Sequence, residues 1–158
     1  MNRFYKVSYE QFCEAVNEDT CRAEYDDIKL PERSTALAAG YDFFAPHSFT
    51  LNPGDTIRIP TGIGVVLDED KFLAIVPRSG LGFKFRLQLD NTIGIIDADY
   101  CGAENGGHIM AKLTNDGHKR LEVEKGKAFM HGINLPYFKT DDDKACTVRV
   151  GGFGSTDG

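Results

Sequence analysis

What most constrains the fold of this chain is how its apolar residues are punctuated. IRIPTGIGVVL (57–67), FLAIVP (72–77), FRLQL (85–89) and HIMAKL (108–113) are short runs rich in branched and aromatic side chains. Turn clusters bound them: Asn52-Pro53-Gly54-Asp55, Asp68-Glu69-Asp70 and Asn115-Asp116-Gly117. In RLQL the alternation places Leu87 and Leu89 inward and Arg86 and Gln88 outward. Short strands at this spacing, with little helix between them, predict a mostly β chain, an antiparallel sandwich or barrel.

The clearest helical signal lies near the N-terminus. Ser8 followed by Gln11 resembles a capping box, and in SYEQFCEAV the residues Tyr9, Phe12 and Val16 share a face. A short amphipathic helix over about 8–16 is expected, the one substantial helix of the chain. With 158 residues, one domain over 1–150 is expected, followed by a mobile glycine-rich tail over 151–158. The opening MNRFYKVSYE has no apolar stretch, and no run approaches the roughly 18 residues of a membrane span. A cytoplasmic protein without a membrane partner is the expectation. Cys13, Cys21, Cys101 and Cys146 form no C-x-x-C pair, so free thiols are expected. The net charge of −6 argues against a nucleic-acid binder but not against a small anionic ligand, which a few arginines and backbone amides can hold. Asp141-Asp142-Asp143 reads as a solvated loop.

Chemistry concentrates in a few stretches. In NTIGIIDADYCG (91–102), Ile93, Ile95 and Ile96 have the look of a buried strand that runs into Asp97, Asp99 and Tyr100. Asp97 is expected at the core edge and partly desolvated, where a carboxylate is costly unless it is used or paired. Taken alone, Asp-Ala-Asp-Tyr equally describes a hairpin cap with Asp97 bonded to backbone amides. PRSGLGFK (77–84) offers Arg78 and Ser79 before two glycines, which suits a phosphate oxygen or an ordinary β-turn. AAGYDFFAP (38–46) sets Asp42 among aromatics, either as a working acid or as one outward acid on a strand. The last eight residues, GGFGSTDG, place an aromatic and two hydroxyls on a segment whose glycines favour fraying.

In order, AGYDFFAP, PRSGLGFK, GIIDADYCG, KGKAFMHGI and GGFGST resemble the five motifs of the trimeric dUTP diphosphatases (dUTPases), from about Tyr25 to Gly158. The resemblance implies a jelly-roll-like β fold, a homotrimer with active sites shared between subunits, and magnesium-assisted hydrolysis of dUTP to dUMP and pyrophosphate. It implies Asp97 as the general base that activates water. Tyr100 would pack under the deoxyribose and leave no room for a 2′-hydroxyl. Asn91 and the hairpin backbone from Gly94 to Ile96 would face uracil. Arg78, Ser79 and Gly80 would hold the phosphates, and Asp42 would order waters around the magnesium. The terminal segment would close over the nucleotide, Phe153 stacking on uracil while Gly154, Ser155 and Thr156 meet the phosphates. Such chemistry is physically consistent: attack on phosphorus asks mainly for positioning and charge stabilisation, and magnesium rides on substrate phosphates and water.

The chain departs from the family pattern in places. Residues 103–107 are inserted after Tyr100-Cys101-Gly102, and Met110 takes a position beside the base often held by a small residue. Ala128 and His131 stand where arginine and glutamine are usual, with His131 as the substitute phosphate donor. Arg149, the expected contact for the terminal phosphate, is one residue closer to the glycine pair than usual. Two rival readings share the fold: a dCTP deaminase, with Glu104 as the candidate acid, and a non-catalytic nucleotide-sensing regulator. Asp97-Ala98-Asp99-Tyr100 and the GGFGST ending favour the diphosphatase over both.

Overall fold

The computed structural model describes residues 1–16 and 21–152. The chain is mostly β and antiparallel, a jelly-roll-like arrangement. A four-stranded sheet contains β2 (Gly40–Phe44), β11 (Ala128–Pro136), β6 (Lys71–Pro77) and β8 (Gly94–Asp97), in that order. A three-stranded sheet contains β4 (Thr56–Pro60), β9 (Met110–Asn115) and β7 (Leu87–Leu89). Two pairs complete the frame: β1 (Arg3–Lys6) with β5 (Ile63–Val66), and β3 (Phe49–Leu51) with β10 (Leu121–Val123). Inward side chains of these strands form one core that includes Phe43, Ile59, Leu73, Leu89, Ile96, Leu113, Leu121 and Phe129. Burying each contributes about 1.5–3 kcal/mol, so the alternation seen in the sequence is what holds the sheets together.

The apolar run 57–67 makes two strands, because Thr61 and Gly62 break it. Gly62 has φ +74, and the Ile28 side chain occupies the space of a Cβ, so both conformation and packing require glycine there. Leu87 and Leu89 are buried and Gln88 is exposed, as the alternation predicts. Asp141-Asp142-Asp143 is exposed, again as predicted.

α1 (Tyr9–Val16) forms where the capping box predicts it, with the Gln11 amide donating to Ser8 Oγ at 3.2 Å. It is not alone. α2 (Cys21–Asp26) and α3 (Ser79–Phe85) also form, and α3 replaces the turn that PRSGLGFK allowed. α3 ends at Arg86, whose left-handed backbone (φ 50) turns the chain into β7. The free-thiol expectation fails for two of the four cysteines: Cys13 and Cys21 form a disulfide joining α1 to α2, while Cys101 and Cys146 are free. Their spacing gives no recognisable motif; α2, which the sequence did not announce, brings them together. With Val7, Phe12, Tyr25 and Ile28 they form a small second core.

His108 joins the two cores. It is fully buried, accepts a hydrogen bond from the Gly62 amide at 2.8 Å and lies 6.1 Å from the Phe12 ring. Burial pushes its pKa down to about 4. The folded state therefore resists protonation that the unfolded chain accepts below about pH 6.5. Stability from this group is intact above pH 6.5 and is lost as pH falls toward 4, by roughly 3 kcal/mol in all at about 1.4 kcal/mol per pH unit. Urea unfolding at pH 7 and pH 5 is expected to show a larger loss in the parent than in His108→Gln, by about 2 kcal/mol. Equal losses would mean that folded His108 protonates freely.

Candidate active site

β8 and the loops around it build the richest site. β7 ends at Leu89 and the chain turns through Asp90, Asn91 and Thr92, with the Thr92 amide donating to Leu89 O at 2.9 Å. Thr92 has φ 71, a conformation a β-branched residue rarely holds unless its surroundings impose it. β8 then alternates, with Gly94 and Ile96 buried and Ile95 and Asp97 outward. The expectation that Ile93 and Ile95 are buried is thus wrong: they are 41% and 46% exposed. In a four-residue edge strand only every second side chain can reach the core.

A cavity of about 460 Å³ opens between β8 and β9. Asn91, Gly94, Ile96 and Met110 all line it, so the residues assigned to the base meet in one place. Sequence reasoning missed Arg58, Lys112 and Asn105, which line it too. The volume is within the range of small-ligand sites, and a mainly apolar lining with a few polar groups suits a flat heteroaromatic ring.

Asp97 lies outside this cavity, on the other face of β8, in a neighbouring cleft with Asp99, Glu69 and Lys139. The expected partial desolvation is not found: its side chain is 54% exposed. The hairpin-cap alternative fails as well, because Asp97 makes no side-chain cap bond to the 3₁₀ turn Ala98–Gly102. Its partner is Arg149, whose Nη2 donates to Asp97 Oδ2 at 2.6 Å while Nε donates to Asp99 Oδ1 at 2.8 Å. The same guanidinium lies 5.9 Å from the centre of the Tyr100 ring. Arg149, expected on a phosphate, is thus held by two carboxylates of its own chain. Tyr100 is buried and donates its hydroxyl proton to His108 O at 2.9 Å, and burial raises its pKa.

The phosphate residues assemble elsewhere. Arg78 follows β6 at the N-terminus of α3, with Ser79 and Gly80 exposed after it. Open space surrounds the position of a Cβ on Gly80, so a ligand can approach the backbone closely. Asp42 on β2 is buried, not an outward acid, and its carboxylate is 3.6 Å from Arg78 Nη1. His131 on β11 pairs in register with both Asp42 and Val76, beside this cluster. No group of three or more His, Cys, Asp or Glu side chains is placed to hold a metal among the described residues. For a hard cation that keeps its waters and binds substrate phosphates, one carboxylate held by an arginine is a sufficient anchor, so Asp42 fits magnesium.

Within one chain the two clusters do not meet. Asp97 pairs with Phe72 at one end of β6 and Arg78 leaves the other end, after Pro77. The extended strand between Phe72 and Pro77 spans about 17 Å at roughly 3.4 Å per residue. Phe153, Gly154, Ser155 and Thr156 lie outside the described residues.

Comparison with known proteins gives a consistent result. The dUTPase family model matches residues 26–156. A deoxyuridine 5′-triphosphate nucleotidohydrolase of Lactococcus lactis subsp. lactis is 35% identical over 132 residues, 82% of this chain and 88% of that protein. One from Clostridium tetani is 36% identical over 136 residues, 83% of this chain and 90% of the relative. The crystal structure of the dUTPase from Streptococcus mutans superposes with a TM-score of 0.63 at 33% identity, covering 71% of this chain and 88% of that one. A mutant dUTPase of phage phi11 of S. aureus, described with a structural Mg(II) ion, shares the fold at a TM-score of 0.65 and 17% identity, covering 92% of this chain and 96% of that one. The match over most of its length, in sequence and in fold, means that this chain belongs to the dUTPase family.

Proposed function

We propose that the protein hydrolyses dUTP to dUMP and pyrophosphate by attack of water on the α-phosphorus. One observation carries this reading: a single turn and the strand after it line a base-sized cavity with Asn91, Gly94 and Ile96, and that strand ends in the carboxylate of Asp97. The relatives named above are nucleotidohydrolases of deoxyuridine 5′-triphosphate, which agrees with it. Asn91 and the backbone of 94–96 meet the uracil edge as a pairing partner would. Cytosine would set donor against donor and leave buried groups unpaired, a mismatch costing orders of magnitude in rate. Tyr100 lies under the deoxyribose and excludes a 2′-hydroxyl. Asp97 takes the proton of the attacking water.

Arg78, Ser79, Gly80 and His131 hold the triphosphate, and Asp42 orients the water shell of a magnesium ion. When bound, such an ion would supply neutralisation of the phosphate charge. The phosphates also draw Arg149 from Asp97 and Asp99, which frees the base as the substrate is clamped. Phe153, Gly154, Ser155 and Thr156 then cover the nucleotide.

The separation of Asp97 from Arg78 in one chain supports a homotrimer in which each site takes Asp97 from one subunit and Arg78 from another. Exposed apolar side chains on the sheet and loops, Ile95, Leu135 and Phe138 among them, provide surface for such contacts.

The test is to incubate the protein with dUTP or dCTP and magnesium and to identify the products by chromatography. The expected result is dUMP and pyrophosphate from dUTP, with dCTP unchanged. Ammonia from dCTP would select the deaminase reading, and no turnover of either would select a nucleotide-sensing regulator.

A further inference from the structure

The inserted loop 103–107 is tied to the site more closely than a surface insertion requires. Asn105 Nδ2 donates to the Tyr100 hydroxyl at 2.8 Å and to His108 O at 3.3 Å, while its Oδ1 accepts from the Gly107 amide at 3.1 Å. The Gly107 bond is what any Asn turn makes. The bond back to Tyr100 is not: it fixes a ring whose hydroxyl is already held by His108 O. Asn105 also lines the base cavity.

The loop is held in turn by the N-terminal segment, which precedes the region that the family model matches. The Tyr5 hydroxyl donates to Gly106 O at 2.8 Å, and Gln11 Nε2 donates to Glu104 O at 3.3 Å. Gly107 sits so tightly that a Cβ would lie 2.5 Å from the Tyr5 hydroxyl and 2.8 Å from Cys101 Cα. With φ +69 the position is reserved for glycine on both counts. A chain of contacts thus runs from β1 and α1 through the loop to the Tyr100 ring.

We infer that Asn105, in the wall of the base cavity, is a positioning residue for sugar selection that holds the Tyr100 ring in place through its hydroxyl, and that the N-terminal segment braces it through the 103–107 loop. The inference rests on the reading of Tyr100 as the deoxyribose platform. A ring that excludes a 2′-hydroxyl sterically does so only as far as it cannot yield. Removing the bond from Asn105 to its hydroxyl lets it tilt, which admits UTP and loosens the fit to dUTP.

The experiment is to measure kcat and KM for dUTP and UTP, with magnesium, on the full-length Asn105→Ala and Tyr5→Phe proteins, with circular dichroism and thermal unfolding alongside. Asn105→Ala is expected to lower the dUTP-to-UTP ratio of kcat/KM by about fivefold, the worth of one hydrogen bond, with KM for dUTP rising more than kcat falls. Tyr5→Phe, which removes only the brace, is expected to move the ratio in the same direction by less. A merely structural role would reduce the active fraction, scale kcat equally for both substrates and leave KM and the ratio alone. That result in a folded Asn105→Ala protein overturns the inference; should that variant not fold, the same result in Tyr5→Phe overturns it. A parent that does not hydrolyse dUTP removes the functional reading and this inference with it, whereas an active parent with unchanged variant ratios removes this inference alone.

Discussion

Asp97→Asn is expected to cut turnover of dUTP by about 10²–10⁴-fold, the usual worth of general-base catalysis, while fold and nucleotide binding persist. The side chain is outward at the end of β8 and takes no part in the core, so its neutral isostere has no packing to disturb. Arg149 keeps its bond to Asp99 when Asp97 loses its charge, which holds the local arrangement together. What disappears is the ability to accept a proton from water beside the α-phosphorus. Steady-state kinetics with a binding measurement on a non-hydrolysable dUTP analogue checks this. Near-parental turnover in a folded Asp97→Asn protein would remove Asp97 from the role.

Truncation after Val150 is expected to lower turnover on the order of 10²-fold or more, because a poorly positioned and hydrated reacting group loses the benefit of orientation. The segment leading into the tail already touches the site. Val150 O accepts from the Glu104 amide at 3.2 Å, and Gly152 packs against the Asn105 carboxamide. On the function proposed above, GGFGSTDG would bring an aromatic, two hydroxyls and several amides to a triphosphate. Ordering it costs about 1–2 kcal/mol per residue in backbone entropy, which charge-assisted bonds to a triphosphate offset better than those to a product with fewer phosphates. Among the described residues of this segment, Gly151 and Gly152 belong to neither core, and the unfolding temperature is expected to be unchanged. Parental kinetics in the truncated enzyme would make the tail a solubilising end and nothing more.

The sequence made the strands legible because their signal is local. Alternation in RLQL, a serine three residues before a glutamine and turn clusters between apolar runs each act within a few residues. Asn91, Gly94 and Ile96, which the family resemblance assigns to the base, line one cavity because they lie on one turn and the strand that follows it. Burial of Ile93 and Ile95 was misjudged because an apolar run does not say whether one or both faces of a strand are covered. The Cys13–Cys21 disulfide was hidden by α2, whose six residues carry no strong period. The pairing of Asp42 with Arg78, of Arg149 with Asp97, and of Tyr5 and Gln11 with the 103–107 loop joins residues far apart in sequence, and only the topology reveals it. Asn105 could have been noticed as the one carboxamide in an insertion directly behind Tyr100.

The proposed site joins Asp97 of one subunit to Arg78 of another, and subunit mixing puts this to the test. Asp97→Asn and Arg78→Ala chains, each nearly inactive alone, are unfolded, combined in equal amounts and refolded together. If sites are shared around a ring, random assembly joins an intact Asp97 to an intact Arg78 in about one site in four, so the mixture should recover about a quarter of parental activity. A mixture no more active than its two components would contradict the account, because both residues would then have to act within a single chain.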